Sequence, residues 1–166
     1  CMVTDEITVS FNEVPEIDLG LDQEMCEGEI AGFGAVPFNT SDPATYLWST
    51  GSLNPTLEVQ TTGTYSVTVT VNDCSATDEV EVLVNPLPDF ELGEDLTFCE
   101  GESFTLDATP TNVTGATYEW QDGSTNPTFE AIESGVYSVT VTANGCGLID
   151  EIALTFNELP QVDLGN

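Results

Sequence analysis

The side chains of this sequence that could take part in chemistry are carboxylates and thiols. The chain contains 30 Asp and Glu residues and five cysteines, but no Lys, Arg or His. A histidine base, a lysine Schiff base and an arginine clamp are therefore absent, which removes most catalytic mechanisms. Nucleic-acid binding and attachment to anionic lipid also depend on Lys and Arg. We therefore expect no enzyme activity and no nucleic-acid partner.

Carboxylates that are adjacent in sequence could serve a glycoside hydrolase, which needs a pair of acids. Such pairs occur at Asp78–Glu79, Glu94–Asp95 and Asp150–Glu151. Neighbouring residues of a strand point to opposite faces of the sheet, and no apolar surroundings are evident that would raise the pKa of one acid. A solvated acidic face is therefore the favoured interpretation.

Calcium is the one metal that the pattern of oxygen ligands suggests. Glu13, Glu16 and Asp18 form one acidic cluster, and Asp89 and Glu91 form another. Carboxylates are the ligands that this hard cation prefers. No EF-hand loop or Asp-x-Asp-x-Asp run is present, so calcium is a candidate only, and no other cofactor is predicted.

The chain repeats itself at an offset of 72 or 73 residues. Cys26–Glu29 returns as Cys99–Glu102, and Gly63–Val69 returns as Gly135–Val141 with one difference. Such self-similarity indicates an array of structural repeats. We predict four segments: the last strand of a preceding repeat (1–13), a first complete repeat (14–86), a second complete repeat (87–158) and the first strand of a following repeat (159–166).

Within each repeat the apolar residues alternate with polar ones, which predicts strands. Tyr137, Val139 and Val141 alternate with Ser138 and Thr140, for example. Turn signals separate these runs at the spacing typical of a sandwich, and no segment has a sustained helical period. The predicted fold is all-β, with antiparallel sandwiches in an end-to-end array. No apolar run approaches the ~20 residues of a membrane span, so no direct membrane insertion is expected.

Two details of the predicted strands concern single positions. Phe90 and Leu92 predict the first strand of the second repeat. Gly32 and Gly34 occupy the second strand of the first repeat, where the second repeat has polar residues. Glycine weakens a strand and often marks a bulge, so extra twist or a bulge is predicted there.

The pattern resembles an immunoglobulin-like sandwich of the PKD type. Ser134–Tyr137 and Thr62–Tyr65 stand where a tyrosine corner opens strand F, and Trp48 and Trp120 stand where such sandwiches bury a tryptophan of strand C. The resemblance thus implies that Trp48, Trp120, Tyr65 and Tyr137 are core residues. The alternative for the two tryptophans is a platform on which sugar rings stack.

More specifically, the chain resembles the tandem repeats of giant cell-surface proteins of Bacteroidota, including gliding-motility adhesins exported by the type IX secretion system. The residues that carry this resemblance are Phe98–Ala108, Tyr46–Gly51, Gly63–Val71, Asn144–Cys146 and Asn85–Pro88. The resemblance implies an extracellular location on a bacterial cell surface. Asn39 and Asn112 begin N-glycosylation patterns, but modification is not expected in such a source.

The five cysteines recur at fixed positions of the repeat. Cys26 and Cys99 precede the second strand, while Cys1, Cys74 and Cys146 follow the turn between the last two strands. Cysteines of an exported chain should be oxidised. One alternative pairs Cys26 with Cys74 and Cys99 with Cys146 inside each repeat. If the immunoglobulin-like topology holds, those positions lie at opposite ends of a sandwich, so we favour an inter-domain Cys26–Cys146 bond, with Cys1, Cys74 and Cys99 bonded to repeats outside the sequence.

These features favour a structural role over a catalytic one. Short junctions such as Asn85–Pro88 contain proline and no Gly or Ser, which predicts stiffness. Uniform negative charge predicts repulsion between copies. The leading hypothesis is a stiff stalk or filament of a bacterial adhesin, whose partners are neighbouring repeats or other copies in a filament. The alternative is multivalent binding of glycans or surfaces by weak sites on each repeat.

Overall fold

The computed structural model of the chain describes residues 2–161. The chain forms two compact units, Cys1–Val84 and Asn85–Asn166. The strands that begin in the first unit are β1 (Gln23–Cys26), β2 (Ala31–Gly34), β3 (Thr45–Trp48), β4 (Thr56–Val59), β5 (Gly63–Val71) and β6 (Cys74–Asn85). Those of the second unit are β7 (Leu96–Cys99), β8 (Phe104–Asp107), β9 (Thr117–Trp120), β10 (Thr128–Ala131), β11 (Gly135–Ala143) and β12 (Cys146–Asn157).

Each unit is a sandwich of a four-stranded and a two-stranded sheet. The strand orders are β1-β6-β5-β3 and β2-β4 in the first unit, and β7-β12-β11-β9 and β10-β8 in the second. Side chains from both sheets meet in one apolar core per unit. The predicted all-β sandwich is confirmed. Residues 2–161 include no helix that is long and apolar enough to cross a membrane.

The longest hairpins follow directly from the alternation of residues. In β11, Tyr137, Val139 and Val141 are buried, because successive side chains of a strand point to opposite faces. The turn to β12 consists of Asn144 and Gly145, whose φ values are 49° and 79°. Left-handed backbone at both positions is typical of the two-residue turn whose twist matches the flanking strands.

The first and last strands of the second unit lie side by side and run parallel. β7 pairs with β12 in the register Leu96 with Leu154 to Cys99 with Asn157. On this pair the rings of Phe98 and Phe156 stack with centroids 5.3 Å apart. The sequence predicted antiparallel sheets, so this parallel pair is a departure from the prediction.

The strand predicted at Phe90 and Leu92 is wrong. Residues 86–94 belong to no strand, although Leu92 is buried. The backbone N–H of Leu92 donates to the carboxylate of Asp150 at 2.7 Å instead of to a strand. Gly93 then takes a φ of 96°, and the chain enters its first strand only at Leu96.

The second strand of the first unit is regular despite its glycines. β2 pairs with β4 without interruption from Ala31–Val59 to Gly34–Thr56, so the predicted bulge is not present. Residues 2–13 and 158–161 belong to no strand. Residues 1 and 162–166 lie outside the described residues, so the strands predicted at 1–13 and 159–166 stay predictions.

Candidate functional site: the cysteines and the hydrogen bonds around them

The four described cysteines are in two chemical states. Cys26 and Cys146 are disulfide-bonded, whereas Cys74 and Cys99 carry free thiols. The pairing inside each repeat, Cys26 with Cys74 and Cys99 with Cys146, is therefore not formed among the described residues. The predicted bond of Cys26 to Cys146 and the assignment of Cys1 stay predictions.

Strand geometry explains why Cys99 and Cys146 do not pair within the second unit. Cys146 is the first residue of β12, which has 12 residues, and Cys99 lies opposite Asn157 at the other end. At ~3.3 Å per residue, the two ends of this strand are roughly 36 Å apart. A disulfide requires Cα atoms within about 7 Å. The internal pair is thus excluded by a wide margin.

A closed turn fixes the backbone at Cys26 and at Cys99. The N–H of Cys99 donates to a carboxylate oxygen of Glu102 at 2.6 Å, and the N–H of Glu102 donates back to the carbonyl of Cys99 at 3.2 Å. Gly101 in this turn has a φ of 91°, which a side chain would disfavour. Cys26 and Glu29 make the same two bonds, at 2.8 and 3.1 Å.

An asparagine anchors the turn beside Cys146. The side chain of Asn85, only 8% exposed, donates to the carbonyl of Asn144 at 3.2 Å. The sulfur of Cys146, which is 1% exposed, lies 4.0 Å from the carbonyl oxygen of Asn85. The first residue of the second unit is therefore attached to the turn that precedes the oxidised cysteine.

The first unit contains the same arrangement around a free thiol. The side chain of Asn12 donates to the carbonyl of Asn72 at 2.9 Å, and the thiol of Cys74 donates to the carbonyl of Asn12 at 3.7 Å. Asn72 and Asp73 form the turn, with φ values of 49° and 66°. Because both units repeat these contacts, the arrangement belongs to the repeat and not to one copy.

Asn39 and Asn112, which begin the glycosylation patterns, hold the chain ahead of the first strand. Asn112 accepts the N–H of Asp89 and donates to the carbonyl of Leu87, both at 2.8 Å. Asn39 makes the two equivalent bonds at 2.9 Å. Each side-chain nitrogen is therefore engaged with backbone, which is a structural use and leaves it poorly placed for a sugar.

The aspartates of the adjacent acid pairs act as acceptors for backbone. Asp150 accepts the N–H of Leu92, and Asp78 accepts that of Leu19, each at 2.7 Å. Both aspartates are half-buried, while Glu151, the sequence neighbour of Asp150, is exposed on the other face. The two members of a pair thus do not share a site as the acids of a glycosidase do.

A second set of aspartates lies just before the first strand of each unit and accepts hydrogen bonds from the last strand. Asp95 accepts the N–H of Ala153 at 2.9 Å, and Asp22 accepts the N–H of Glu81 at 2.8 Å. These bonds tie the residue just before the first strand to the last strand of each unit. Asp78 and Asp150 of the last strand accept bonds from the segment ahead of the first strand. The last strand and that segment therefore each donate backbone N–H groups to an aspartate of the other.

The calcium candidates are not gathered into a site. Within residues 2–161, no group of three or more Asp, Glu, Cys or His side chains is placed to hold a metal ion. Asp18 accepts the N–H of Gly20 at 2.8 Å, and Asp89 accepts the hydroxyl of Thr111 at 2.9 Å. Glu16 and Glu91 lie on the same segments but complete no cluster with them.

The two tryptophans lie in the cores. Trp48 and Trp120 are each 2% exposed. Their indole N–H groups donate to the carbonyls of Asn54 and Asn126 at 2.9 and 2.8 Å. Buried rings with a satisfied N–H offer no face to a sugar, so these residues do not support glycan stacking.

Each unit has one tyrosine near the start of its longest hairpin. Tyr65 and Tyr137 are 9% and 8% exposed. Their hydroxyls donate to the carbonyls of Thr61 and Glu133 at 2.8 and 2.7 Å. A hydroxyl bonded to backbone a few residues upstream is the arrangement of a tyrosine corner.

Two carboxyl groups in turns have pKa values below the ordinary range. Hydrogen bonds from the hydroxyl and then the N–H of Thr109 lower the pKa of Asp107. The N–H of Ser124 donates to the carboxylate of Asp122 at 2.8 Å and is the main reason why the pKa of Asp122 is lowered. In both cases the donors favour the charged form, and the bonds are local, so the shifts indicate turn structure and not catalysis.

Solved structures with the same architecture decide the fold. Extracellular domains 3–5 of Drosophila OTK superpose with a TM-score of 0.52 and 13% identity over 82% of this chain and 59% of that one. The fold is immunoglobulin-like. The insect immune protein hemolin gives a TM-score of 0.53 and 14% identity, over 87% of this chain and 46% of that one. No protein-family model and no curated protein matches the chain.

At these identities the likeness shows the fold alone, and the chain spans about half of those two structures. Within the immunoglobulin-like units, sequence reasoning missed Asn39, Asn112, Asp22 and Asp95 as structural residues. A signal was available, because each pair recurs at an offset of 73. Polar residues that repeat together with the core positions are candidates for side chains that support the fold.

Proposed function

We propose that the chain is a non-catalytic part of a tandem array that forms a stiff stalk or filament of an extracellular bacterial surface adhesin. The observation that carries this proposal is that side-chain carboxylates and amides accept hydrogen bonds from backbone N–H groups at equivalent positions of both units. Asp78 and Asp150 do so, and so do Asn39 and Asn112. The polar groups that recur in both units support the fold instead of converging on a pocket. The resemblance to Bacteroidota surface repeats adds the type IX export route to this proposal.

The proposed array consists of complete repeats at 14–86 and 87–158, with parts of neighbouring repeats at 1–13 and 159–166. A disulfide between Cys26 and Cys146 joins the two complete repeats, and Cys1, Cys74 and Cys99 pair with repeats outside the sequence. The oxidised state of Cys26 and Cys146 and the free thiols of Cys74 and Cys99 support this connectivity. Such a bond together with a proline junction restricts bending.

Peptide mapping under non-reducing conditions tests the connectivity. Free thiols are alkylated first, and the chain is then digested at Asp and Glu, since it has no Lys or Arg for trypsin. The expected linked peptides contain Cys26 and Cys146. Linkage of Cys26 to Cys74 would overturn the proposed array.

Small-angle scattering tests the stiffness with a matched pair of variants. Cys26→Ser removes one oxidised sulfur, while Cys99→Ser changes the repeat-equivalent residue, which carries a free thiol. We expect the first variant to broaden the distribution of interatomic distances and the second to leave it unchanged. Equal curves for wild type and Cys26→Ser would show that the disulfide does not restrict the array.

A further inference from the structure

An uncharged stripe distinguishes the first unit from the second. We call the outward-facing residues along and beyond β2 the β2 stripe; they are Ile30, Gly32, Gly34, Val36 and Phe38. Its three apolar side chains are 58%, 64% and 68% exposed in chain order. The equivalent positions of the second unit are all polar: Ser103, Thr105, Asp107, Thr109 and Thr111.

At Gly32 and Gly34 the backbone of the β2 stripe lies at an open sheet edge, whereas at Phe38 the same side is bonded to the segment ahead of β1. Ala35 donates its N–H toward β4, to the carbonyl of Pro55, whereas Phe38 donates to the other side, to the carbonyl of Glu16. Since strand residues alternate in direction, the N–H and C=O groups of Gly32 and Gly34 also face that other side. The sheet of β2 and β4 has only two strands, so no strand in the described chain covers this edge.

We propose that two copies of the chain pair antiparallel through this edge of β2 across a two-fold axis. With the axis at Phe33, Gly32 of each copy lies opposite Gly34 of the other, and Ile30 lies opposite Val36. Residues 32 and 34 both present N–H and C=O groups to the edge, so the facing glycines exchange hydrogen bonds in the pattern of a closely paired antiparallel ladder. The result is a continuous four-stranded sheet with an apolar pair on either side of the glycines.

The second unit shows what would prevent such pairing. Natural edge strands are kept apart by charged side chains, and Asp107 places one where the first unit has Gly34. The segment that would pair, residues 30–36, has no charge, no proline and no bulge, and Pro37 comes directly after it. Two units of the same fold thus differ at this edge: the second unit is protected against strand pairing by a charge, and the first unit is able to pair with a copy of itself.

The expected association is weak and strengthens with salt. A stable interface buries about 800 Å² per partner, which a pair of seven-residue segments does not reach. Two copies with a net charge of −30 each also repel one another, and the Debye length shrinks from about 10 Å at 0.1 M salt to about 3 Å at 1 M. Pairing at many such repeats, along two arrays that lie side by side and run in opposite directions, would supply the avidity that one pair lacks.

Sedimentation of the 166-residue chain with its free thiols alkylated tests the proposal. We expect a reversible dimer whose population rises with protein concentration, up to about 1 mM, and with NaCl. Gly32→Asp should weaken dimerisation about ten-fold or more, because two carboxylates are then brought close across the axis. An added Cβ at Gly32 meets no atom within 4 Å, so this variant should fold.

Thr105→Asp is the matched control, since it adds the same charge at the equivalent position of the second unit and should leave the dimer unchanged. Amide exchange provides a second measurement, in which Gly32 and Gly34 become protected as concentration rises and Thr105 does not. A chain that stays monomeric, or a dimer that Gly32→Asp does not weaken, would overturn the proposal. Alkylation excludes covalent ladders, so the result is independent of the proposed Cys26–Cys146 bond.

Discussion

Asp107 illustrates how a carboxylate is stabilised in a chain that has no Lys, Arg or His. With no side-chain cation to pair with, it accepts the N–H of Thr109 at 2.9 Å. Hydrogen bonds to an ionised acceptor are stronger than those between neutral groups. The same solution recurs at Asp122 with Ser124, so the turns of this protein use their negative charges as local hydrogen-bond acceptors.

Lowering the pH should remove the contribution of Asp107. Its pKa in the folded chain lies below the ordinary value of 3.8, chiefly because of the Thr109 hydroxyl. The bonds therefore contribute stability that is present above pH 3.8 and is lost as pH falls through the lower, folded-state pKa. A carboxyl titration followed by NMR should place the midpoint of Asp107 below 3.8.

Thr109→Val checks the cause of that shift. It removes the hydroxyl but keeps the backbone donor, so the midpoint of Asp107 should move part of the way back toward 3.8. The midpoint of Asp122, which has its own donor in the N–H of Ser124, should not change. A wild-type midpoint at or above 3.8 would contradict the proposed role of these hydrogen bonds.

The segment before β7 is held by hydrogen bonds to side chains and not by pairing with a neighbouring strand. Asp150 accepts the N–H of Leu92, whose side chain is buried. Asp150→Ala would leave that N–H unsatisfied, which costs about 1–3 kcal/mol. We expect the free energy of unfolding of the second unit to fall by that amount, measured by calorimetry or denaturant titration.

Glu151→Ala is the control for Asp150→Ala, because it removes an adjacent carboxylate that faces solvent. Its effect should stay within about 0.5 kcal/mol, as is usual for surface substitutions. Equal losses for the two variants would indicate that net charge, not the bond to Leu92, sets the stability of this segment.

The alternation of apolar with polar residues predicted the long strands and their buried residues, as at Tyr137 and Val139. It did not predict that Leu92 would lie outside any strand. Alternation identifies which side chains are buried, but it does not identify the group that accepts each backbone N–H, and here Asp150 replaces a neighbouring strand. The first strand begins four residues later, at Leu96.

The hydrogen-bonded surroundings of the cysteines were less predictable than their positions. The repeat offset identified Cys26 and Cys99 as equivalent, yet one is oxidised and the other is not. Equivalent residues of a repeat share local structure, such as the turn closed by Glu29 or Glu102. Their chemical state depends on which other cysteine is within reach, and that is a property of the assembled chain.

A net charge of −30 with no positive side chain opposes compact structure of the chain as a whole. Salt should therefore stabilise the fold. Between 0.01 M and 0.15 M ionic strength the Debye length falls from about 30 Å to about 8 Å, and we expect the melting temperature to rise over this range. A constant or falling melting temperature would contradict the dominance of self-repulsion.

Comparing calcium with magnesium in that experiment distinguishes specific calcium binding from general screening of charge. Screening depends on ionic strength, so CaCl₂ and MgCl₂ at the same ionic strength should give similar melting temperatures if no site exists. The described residues contain no cluster of three acidic ligands, and we expect no excess effect of calcium. A rise specific to calcium would indicate that Glu16 and Asp18, or Asp89 and Glu91, join a site with other residues.

The parallel pairing of β7 with β12 determines how the second unit responds when its two ends are pulled. The chain enters along β7 and leaves along β12, and the two strands point the same way. Tension on the ends therefore drags the neighbouring strands past each other in opposite directions and loads their hydrogen bonds in shear, all together. An antiparallel pair at the same place would open one bond at a time, like a zipper. The parallel pair therefore gives the second unit resistance to tension applied between its two ends, which is the load that a pulled array would place on it.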